Sequence, residues 1–421
     1  MKINTLLDVD LVAHEAEDEV ALLLELQAPS APIDATRPRA SLEVVLDRSG
    51  SMAGGPLEGA KKALVALVRR LEPTDNFGLV AFDDHAQVVV PAGPLTDKDA
   101  VIARIQSVLP GGMTDLSAGY LRGLRELRRV AGAGGTVLVV SDGHVNSGVK
   151  DPDEFATITA RAYADGLVTS TLGYGEGYDE TLLSTIARAG SGNHVFAADP
   201  DGAGAAIAGE VDGLLDKVVQ AVSLTVHMGP SVELVRLYND LPAELLAPGV
   251  LTIELGDLYA DEARKVLFKL MVPARTALGL AQVATLEVAY VEVARLVEHV
   301  HTIPITVNVV PGDEAAGRVA SPTVTSEVLF QEAQDAKKQA SEAFERGDVV
   351  AGTRLLGETK SRLAEALEVA PQDAVPDIRA QLEEVDQMET YTQIHGASYV
   401  SKMSRDSFHR SNRKRGRGTP L

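Results

Sequence analysis

Between Glu43 and Ala198, short uninterrupted apolar runs alternate with stretches whose apolar residues recur every three or four positions. The runs predict strands covered on both faces and the periodic stretches predict helices lying over them, so their alternation predicts a doubly wound, mostly parallel α/β sheet. Strands are expected at 42–46, 76–82 with a partner at 86–90, 136–140, 167–172 and 194–196. Helices are expected at 55–71, 97–107, 116–130, 154–165 and 180–189.

From residue 218 to 310 the period changes to two, with turn residues between segments and no long helical pattern, which predicts an antiparallel β-sandwich. Its strands are expected at 218–226, 232–237, 250–255, 266–272, 283–293 and 296–307. A similar run at 20–27 precedes the α/β region and is expected to complete the same sheet, so the α/β domain reads as an insertion in the sandwich. Helical periodicity returns at 326–346, 348–369 and 375–394, with Leu329, Ala333, Ala336, Ala340 and Ala343 as one face and Gly347 and Pro371 as breaks, which predicts a helical bundle. The expected division is 1–38 with the sandwich, 39–216 as the α/β domain, 217–312 as the sandwich, 322–397 as the bundle and 398–421 as a basic tail. From Ser404 onward the chain is rich in Arg, Ser and Gly and is expected to be disordered.

Composition narrows the chemistry. Aromatic residues make up 4% of the 421, so the cores are mainly aliphatic, and with no cysteine any bound metal must take oxygen or imidazole ligands. The lack of thiols, of a signal-like apolar segment near the start and of a stretch of ~20 apolar residues predicts a soluble, cytoplasmic chain without a membrane span. A net charge of −21 argues against general polyanion binding. The exception is 402–417, where seven Lys or Arg face one acid. Within it Arg410, Arg413, Lys414, Arg415 and Arg417 are the candidates for nucleic-acid contact; without interleaved aromatic residues, a solvated tail or an intramolecular contact is the favoured reading.

Three loops carry the candidate site. After the first α/β strand comes Asp47-Arg48-Ser49-Gly50-Ser51, an acid and two hydroxyls at alternate positions that can converge on one point. A second loop sets Thr114 behind Gly111-Gly112 and just before a helix, and a third places Asp142 at the end of a buried strand. Ligands of open α/β sheets bind beyond the carboxyl ends of the strands, and five hard oxygen donors there suit Mg²⁺, or Mn²⁺ or Ca²⁺. Asp115 is weighed equally as a group behind the ligands and as a helix-initiating acid.

Asp47, Ser49, Ser51, Thr114 and Asp142, in this order, resemble the metal-ion-dependent adhesion site of the von Willebrand A family, whose pattern is Asp-x-Ser-x-Ser, then Thr, then Asp. The resemblance spans about residues 41–215, and more broadly the chain is similar to bacterial and eukaryotic proteins in which a β-sandwich flanks such a domain. It implies a cation with one coordination position left open for an Asp or Glu of a partner protein. In related adhesion domains the corresponding helix moves with ligand state; the small residues of the helix expected at 201–215 would permit such sliding and a coupling to the sandwich, and simple close packing is the favoured reading. Alternative roles that the resemblance brings are an accessory subunit of an ATPase complex and an RNA-binding ribonucleoprotein component.

Enzymatic readings are disfavoured. Ser49 stands where aspartyl-nucleophile phosphatases have a second acid, no Gly-x-Ser-x-Gly occurs, and Gly173-Tyr174-Gly175-Glu176-Gly177 lacks the complete phosphate-loop patterns. His144 is expected to be a solvated loop residue, and His85, His194, His299 and His301 show no metal-ligand spacing and are expected to be structural or surface groups.

Overall fold

The computed structural model describes residues 1–31, 39–132, 134–142, 145–175, 178–197, 207 and 217–413. The chain divides into two compact units, one of Met1–Ser30 with Val218–Leu421 and one of Ala31–Lys217. In chain order the first unit begins with β1 (Lys2–Leu7), β2 (Leu11–Ala13) and β3 (Asp18–Gln27).

The second unit holds β4 (Ser41–Asp47), α1 (Gly55–Arg70), β5 (Asn76–Phe82), β6 (Ala86–Pro94), α2 (Lys98–Gln106), α3 (Leu116–Leu127), β7 (Gly135–Ser141), α4 (Pro152–Ala164), β8 (Leu167–Tyr174), α5 (Glu180–Ala189) and β9 (Ser191–Ala197). Its sheet runs β6-β5-β4-β7-β8-β9, parallel throughout except for the antiparallel edge strand β6. Every residue of β4, β5, β7 and β8 is buried, which is why these strands read as apolar runs. Alternation along β4 sends Leu42, Val44 and Leu46 into the core shared with α1 and Val45 into the opposite core with Leu116, Tyr120 and Phe155.

α3 lies unusually close to the sheet. A Cβ on Gly119 would stand 2.6 Å from the Phe82 ring, and one on Gly123 would stand 2.5 Å from Val45. These two glycines therefore set the height of α3, and with it the position of the loop that ends in Thr114.

The first unit resumes with β10 (Lys217–Met228), β11 (Glu233–Leu237), β12 (Ala243–Ala247), β13 (Val250–Tyr259), β14 (Ala263–Val272), β15 (Gly279–Glu292) and β16 (Val297–Val310). Two sheets result, ordered β1-β3-β14-β11 and β12-β13-β10-β15-β16-β2, and they share one aliphatic core. β3 pairs with both β1 and β14, so the N-terminal run does sit in the sandwich. β12 had no signature in the pattern because all five of its residues are exposed at a sheet edge.

Helices α6 (Pro322–Glu345), α7 (Val349–Val369), α8 (Val375–Ile394) and α9 (Ala397–Arg413) follow. α9 corrects the expectation of disorder for residues 404–413, while 414–421 lie outside the described residues. Although poor in apolar residues, it is a helix whose Ser401, Ser404 and Ser407 are buried, as are Val400 and Phe408. Ser401 and Ser341 bond each other's side chain and carbonyl, and Arg405 reaches Ser341 and Glu345. A polar helix can pack where the opposing surface supplies a partner for each polar group, and composition alone does not reveal such a surface.

Candidate metal centre

Asp47 ends β4 and is fully buried. The chain then leaves the sheet in a short 3-10 turn, Gly50–Met52, whose Met52 is buried in the core on the α1 side. Gly54, at φ +86°, makes the left-handed step into α1 that a side chain would strain. One Asp47 oxygen accepts from the Ser49 N–H at 2.8 Å and the other from the Ser141 hydroxyl at 2.6 Å. Ser49 Oγ lies 3.1 Å from Ser51 Oγ, and the Ser51 hydroxyl donates to Asp142 Oδ1 at 2.9 Å. Asp47, Ser49, Ser51 and Asp142 thus form one hydrogen-bonded chain across the ends of β4 and β7.

Thr114 is buried at the end of the second loop, and its backbone bonds go to the third loop and not to the Asp47–Asp142 chain. The loop before it is stitched to the first loop by Gly111 N–H to the Arg48 carbonyl at 2.6 Å and by Gly50 N–H to the Gly112 carbonyl at 3.0 Å. Beyond it, the Thr114 N–H donates to Asn146 Oδ1 at 2.9 Å, and the Thr114 carbonyl accepts from Asn146 and Ser147 N–H. Crowding favours glycine at Gly111, where a Cβ would stand 1.9 Å from an oxygen of buried Asp83, more than at Gly112, where it would meet the exposed Asp84 carboxylate at 2.6 Å.

Burial pushes the Asp47 carboxyl above its usual range even though Ser141 and Ser49 bond it, and the neighbouring charge of Asp83 adds to the rise. Burial likewise raises Asp142, to about 6, with the Asp47 charge opposing the Ser51 hydrogen bond. Two dehydrated carboxylates beside clustered hydroxyls are a donor set that fits a hard dication, which would favour the charged form of both acids.

Several neighbours do other work. Asp115 caps α3, accepting from the Ala118 N–H at 2.9 Å and the Ser117 hydroxyl at 2.6 Å, so of its two readings the helix-initiating one describes its contacts. His194 is buried, 2.9 Å from Thr171 Oγ1, and His299 pairs with Glu292 at 3.4 Å. His85 is a surface residue, as expected, and together with Asp83 and Asp84 it holds ligand-type atoms within 4.8 Å of one another on the β5–β6 turn, a grouping that spacing did not show. Hydrogen-bond spacing along a sharp turn, not helical or strand spacing, brings them together. Asp83 is already committed, because against the cost of burial the His85 N–H and the Arg48 guanidinium, 3.0 Å away, hold it below the usual carboxylate range.

His144, Glu176 and Gly177 lie outside the described residues, as does the helix expected at 201–215 apart from Ile207, which is buried in the α1-side core. In the C-terminal segment Arg410 pairs with Glu384 and Asp406, the Arg413 side chain is not described, and Lys414, Arg415 and Arg417 lie outside the described residues. Among the described residues no helix is long and apolar enough to cross a membrane.

A parallel sheet with an oxygen-rich crevice at its carboxyl edge, inserted in a β-sandwich, defines the class of protein. Residues 42–204 match the von Willebrand factor type A domain family, and the chain carries a domain of that family. An uncharacterized protein of Synechocystis sp. is 25% identical over 263 residues, 58% of this chain and 60% of that protein, so the match spans less than two thirds of the relative's length. Among solved structures, a von Willebrand factor type A protein from Catenulispora acidiphila superposes with a TM-score of 0.71 at 17% identity, covering 90% of this chain and 89% of that one. The ArnB paralog VWA2 from Sulfolobus acidocaldarius gives 0.67 at 15% identity over 98% and 99%. At these identities the two structures speak for the fold.

Proposed function

We propose that the chain is a divalent-cation-dependent protein-binding module, not an enzyme, in which Asp47, Ser49, Ser51, Thr114 and Asp142 hold Mg²⁺, or Mn²⁺ or Ca²⁺, and a partner supplies an Asp or Glu. The observation that carries this reading is the pair of buried acids Asp47 and Asp142, linked through Ser49 and Ser51 and acted on by further acids. When bound, the cation supplies positive charge that two carboxylates and three hydroxyls balance only just, so an incoming carboxylate is still attracted. The protein's own groups would fix the geometry: Ser141 and the Ser49 N–H orient Asp47, and the bonds between the first and second loops tie the loop that ends in Thr114 to the one that carries Ser49 and Ser51. On a chain of net charge −21, a partner acid is repelled elsewhere and attracted here, which gives selectivity as well as affinity. A cytoplasmic setting is part of this reading and rests on the cysteine-free composition.

Calorimetric titration of chelator-treated protein with Mg²⁺ is expected to show uptake of one cation per chain, abolished by Asp47→Ala or Asp142→Ala. Affinity capture with wild type and Asp47→Ala baits is then expected to differ in the cation-dependent partners. Wild-type protein that takes up none of the three cations would overturn the reading.

A further inference from the structure

The crevice is bordered by an acid that the candidate ligand set does not use. β5, β4 and β7 are neighbours in the sheet, and each has an acid at its carboxyl end or one residue past it: Asp83, Asp47 and Asp142. Asp83 is buried, its charge acts on Asp47, and its carboxylate leaves no room for a Cβ on Gly111 of the second loop. Left alone, this third carboxylate would outweigh a dication, and the loaded site would repel a partner's acid. Arg48 stands between Asp47 and Ser49, yet the contacts of its guanidinium are with Asp83 Oδ2, 3.0 Å away, and with Gln87 Oε1, to which it donates at 2.8 Å. The Arg48 and Asp83 side chains are 20% and 8% exposed, so solvent ions screen them poorly. Asp84, on the same turn, is 42% exposed, lies 3.0 Å from His85 Nδ1 and is screened far better.

We infer that Arg48 is a positioning residue that acts through Asp83: by cancelling that carboxylate it keeps the loaded site receptive to a partner's acid, at some cost in affinity for the cation. The inference rests on the metal reading above. Geometry alone does not need the ion pair, because backbone bonds already join the same segments: Gly111 N–H to the Arg48 carbonyl, Gly50 N–H to the Gly112 carbonyl, and Asp115 N–H to the Asp83 carbonyl at 2.8 Å. What the pair adds is charge. Arg48 and Asp83 together are neutral, so Asp47 and Asp142 are left to set the charge that a cation meets. Removing Arg48 adds a negative charge beside the site and removing the Asp83 charge adds a positive one, so the two changes act in opposite directions on the cation and on the incoming carboxylate.

Calorimetry on the full chain reads both affinities, for Mg²⁺ added to chelator-treated protein and for acetate added at saturating Mg²⁺. One uncompensated charge in this partly buried setting should shift each affinity by roughly fivefold to tenfold. Arg48→Met is expected to bind Mg²⁺ more tightly and acetate more weakly than the wild type, and Asp83→Asn is expected to do the reverse on both counts. The Arg48→Met/Asp83→Asn double variant should return both affinities to near the wild-type values, and Arg48→Lys, which keeps the charge, should stay close to them. Weaker Mg²⁺ uptake in both single variants would mark the pair as merely structural and overturn the inference, as would affinities that neither single variant moves; Mg²⁺ uptake by the wild type would then leave the metal reading intact. No uptake by the wild type would overturn both.

Discussion

The core of the helical bundle and the crevice of the von Willebrand A domain both bury charged side chains, and they resolve the charge in opposite ways. In the bundle, Lys337 is fully buried and donates to Gln381 and, at 2.8 Å, to Ser407. Glu384 accepts from Ser407 at 2.6 Å and from Gln381 at 2.9 Å and pairs with Arg410, which also meets Asp406 at 3.0 Å. Two cations and two acids cancel locally. Burial pushes Lys337 down to about 8, while Lys337 and Arg410 hold Glu384 below its usual range against the cost of burial.

In the crevice Asp47 and Asp142 are raised by burial and by acids, with no such cancellation. A third buried acid, Glu43, sits four residues upstream on the same strand, with neither carboxyl oxygen hydrogen-bonded among the described residues. Burial, and then Glu126, push it up to about 9, so it carries a proton at neutral pH. Gly78 makes room for it, since a Cβ there would stand 1.9 Å from its carboxyl oxygen. Buried charge is thus met by counter-ions in the bundle and by a proton in mid-strand. At the sheet edge the described residues leave Asp47 and Asp142 without a counter-ion, the imbalance that the proposed cation would balance.

The largest test of this contrast is Lys337→Met, which leaves Glu384 buried with one counter-ion fewer and is expected to destabilise the bundle by about 3–5 kcal/mol, measured by hydrogen exchange in α6 and α9. Adding Glu384→Met should recover most of the loss. A neutral single variant would break the account of the bundle. Next comes Glu43→Gln. Its folded pKa lies above the unfolded value of 4.5, so the stability it contributes is present below pH 4.5 and lost as pH rises toward about 9. The amide should remove that slope and raise stability at pH 8 by about 3 kcal/mol in denaturant titrations followed across pH 5–9. A slope left unchanged would mean that Glu43 is not the titrating group.

Mg²⁺ at a hundred times its dissociation constant should stabilise the A domain by about 2.7 kcal/mol, seen as a rise in melting temperature that chelator reverses and Asp47→Ala lacks. The smallest effect sharpens the border of the site. Asp115→Ala should cost about 1 kcal/mol through the lost α3 cap and leave Mg²⁺ uptake unchanged, whereas lost uptake would give Asp115 a role at the metal.

The central sheet was legible because β4, β5, β7 and β8 are buried on both faces, so burial wrote itself into uninterrupted apolar runs. The first and third loops of the candidate site were legible because each places an acid at the end of such a run, and the second because a glycine pair precedes its hydroxyl just before a helix. β12 and α9 were not legible, for opposite reasons: one is exposed along its length, and the other buries polar residues whose partners lie far along the chain. Nor did residue spacing show that Asp83, Asp84 and His85 cluster against the Gly111–Gly112 loop.

By itself the sequence determined the alternation of strands and helices in the α/β unit, which acids end its strands, and that metal chemistry here would be free of sulfur. Those properties follow from local periodicity and residue type. The tertiary structure alone decided that Ser51 reaches Asp142 across 91 residues, that Ser407 meets Lys337 across 70, and that the Glu43 carboxyl finds no hydrogen-bond partner among the described residues. A buried charge is stabilised or left unbalanced by groups that only folding brings within a few ångströms, and no pattern along the chain encodes that distance.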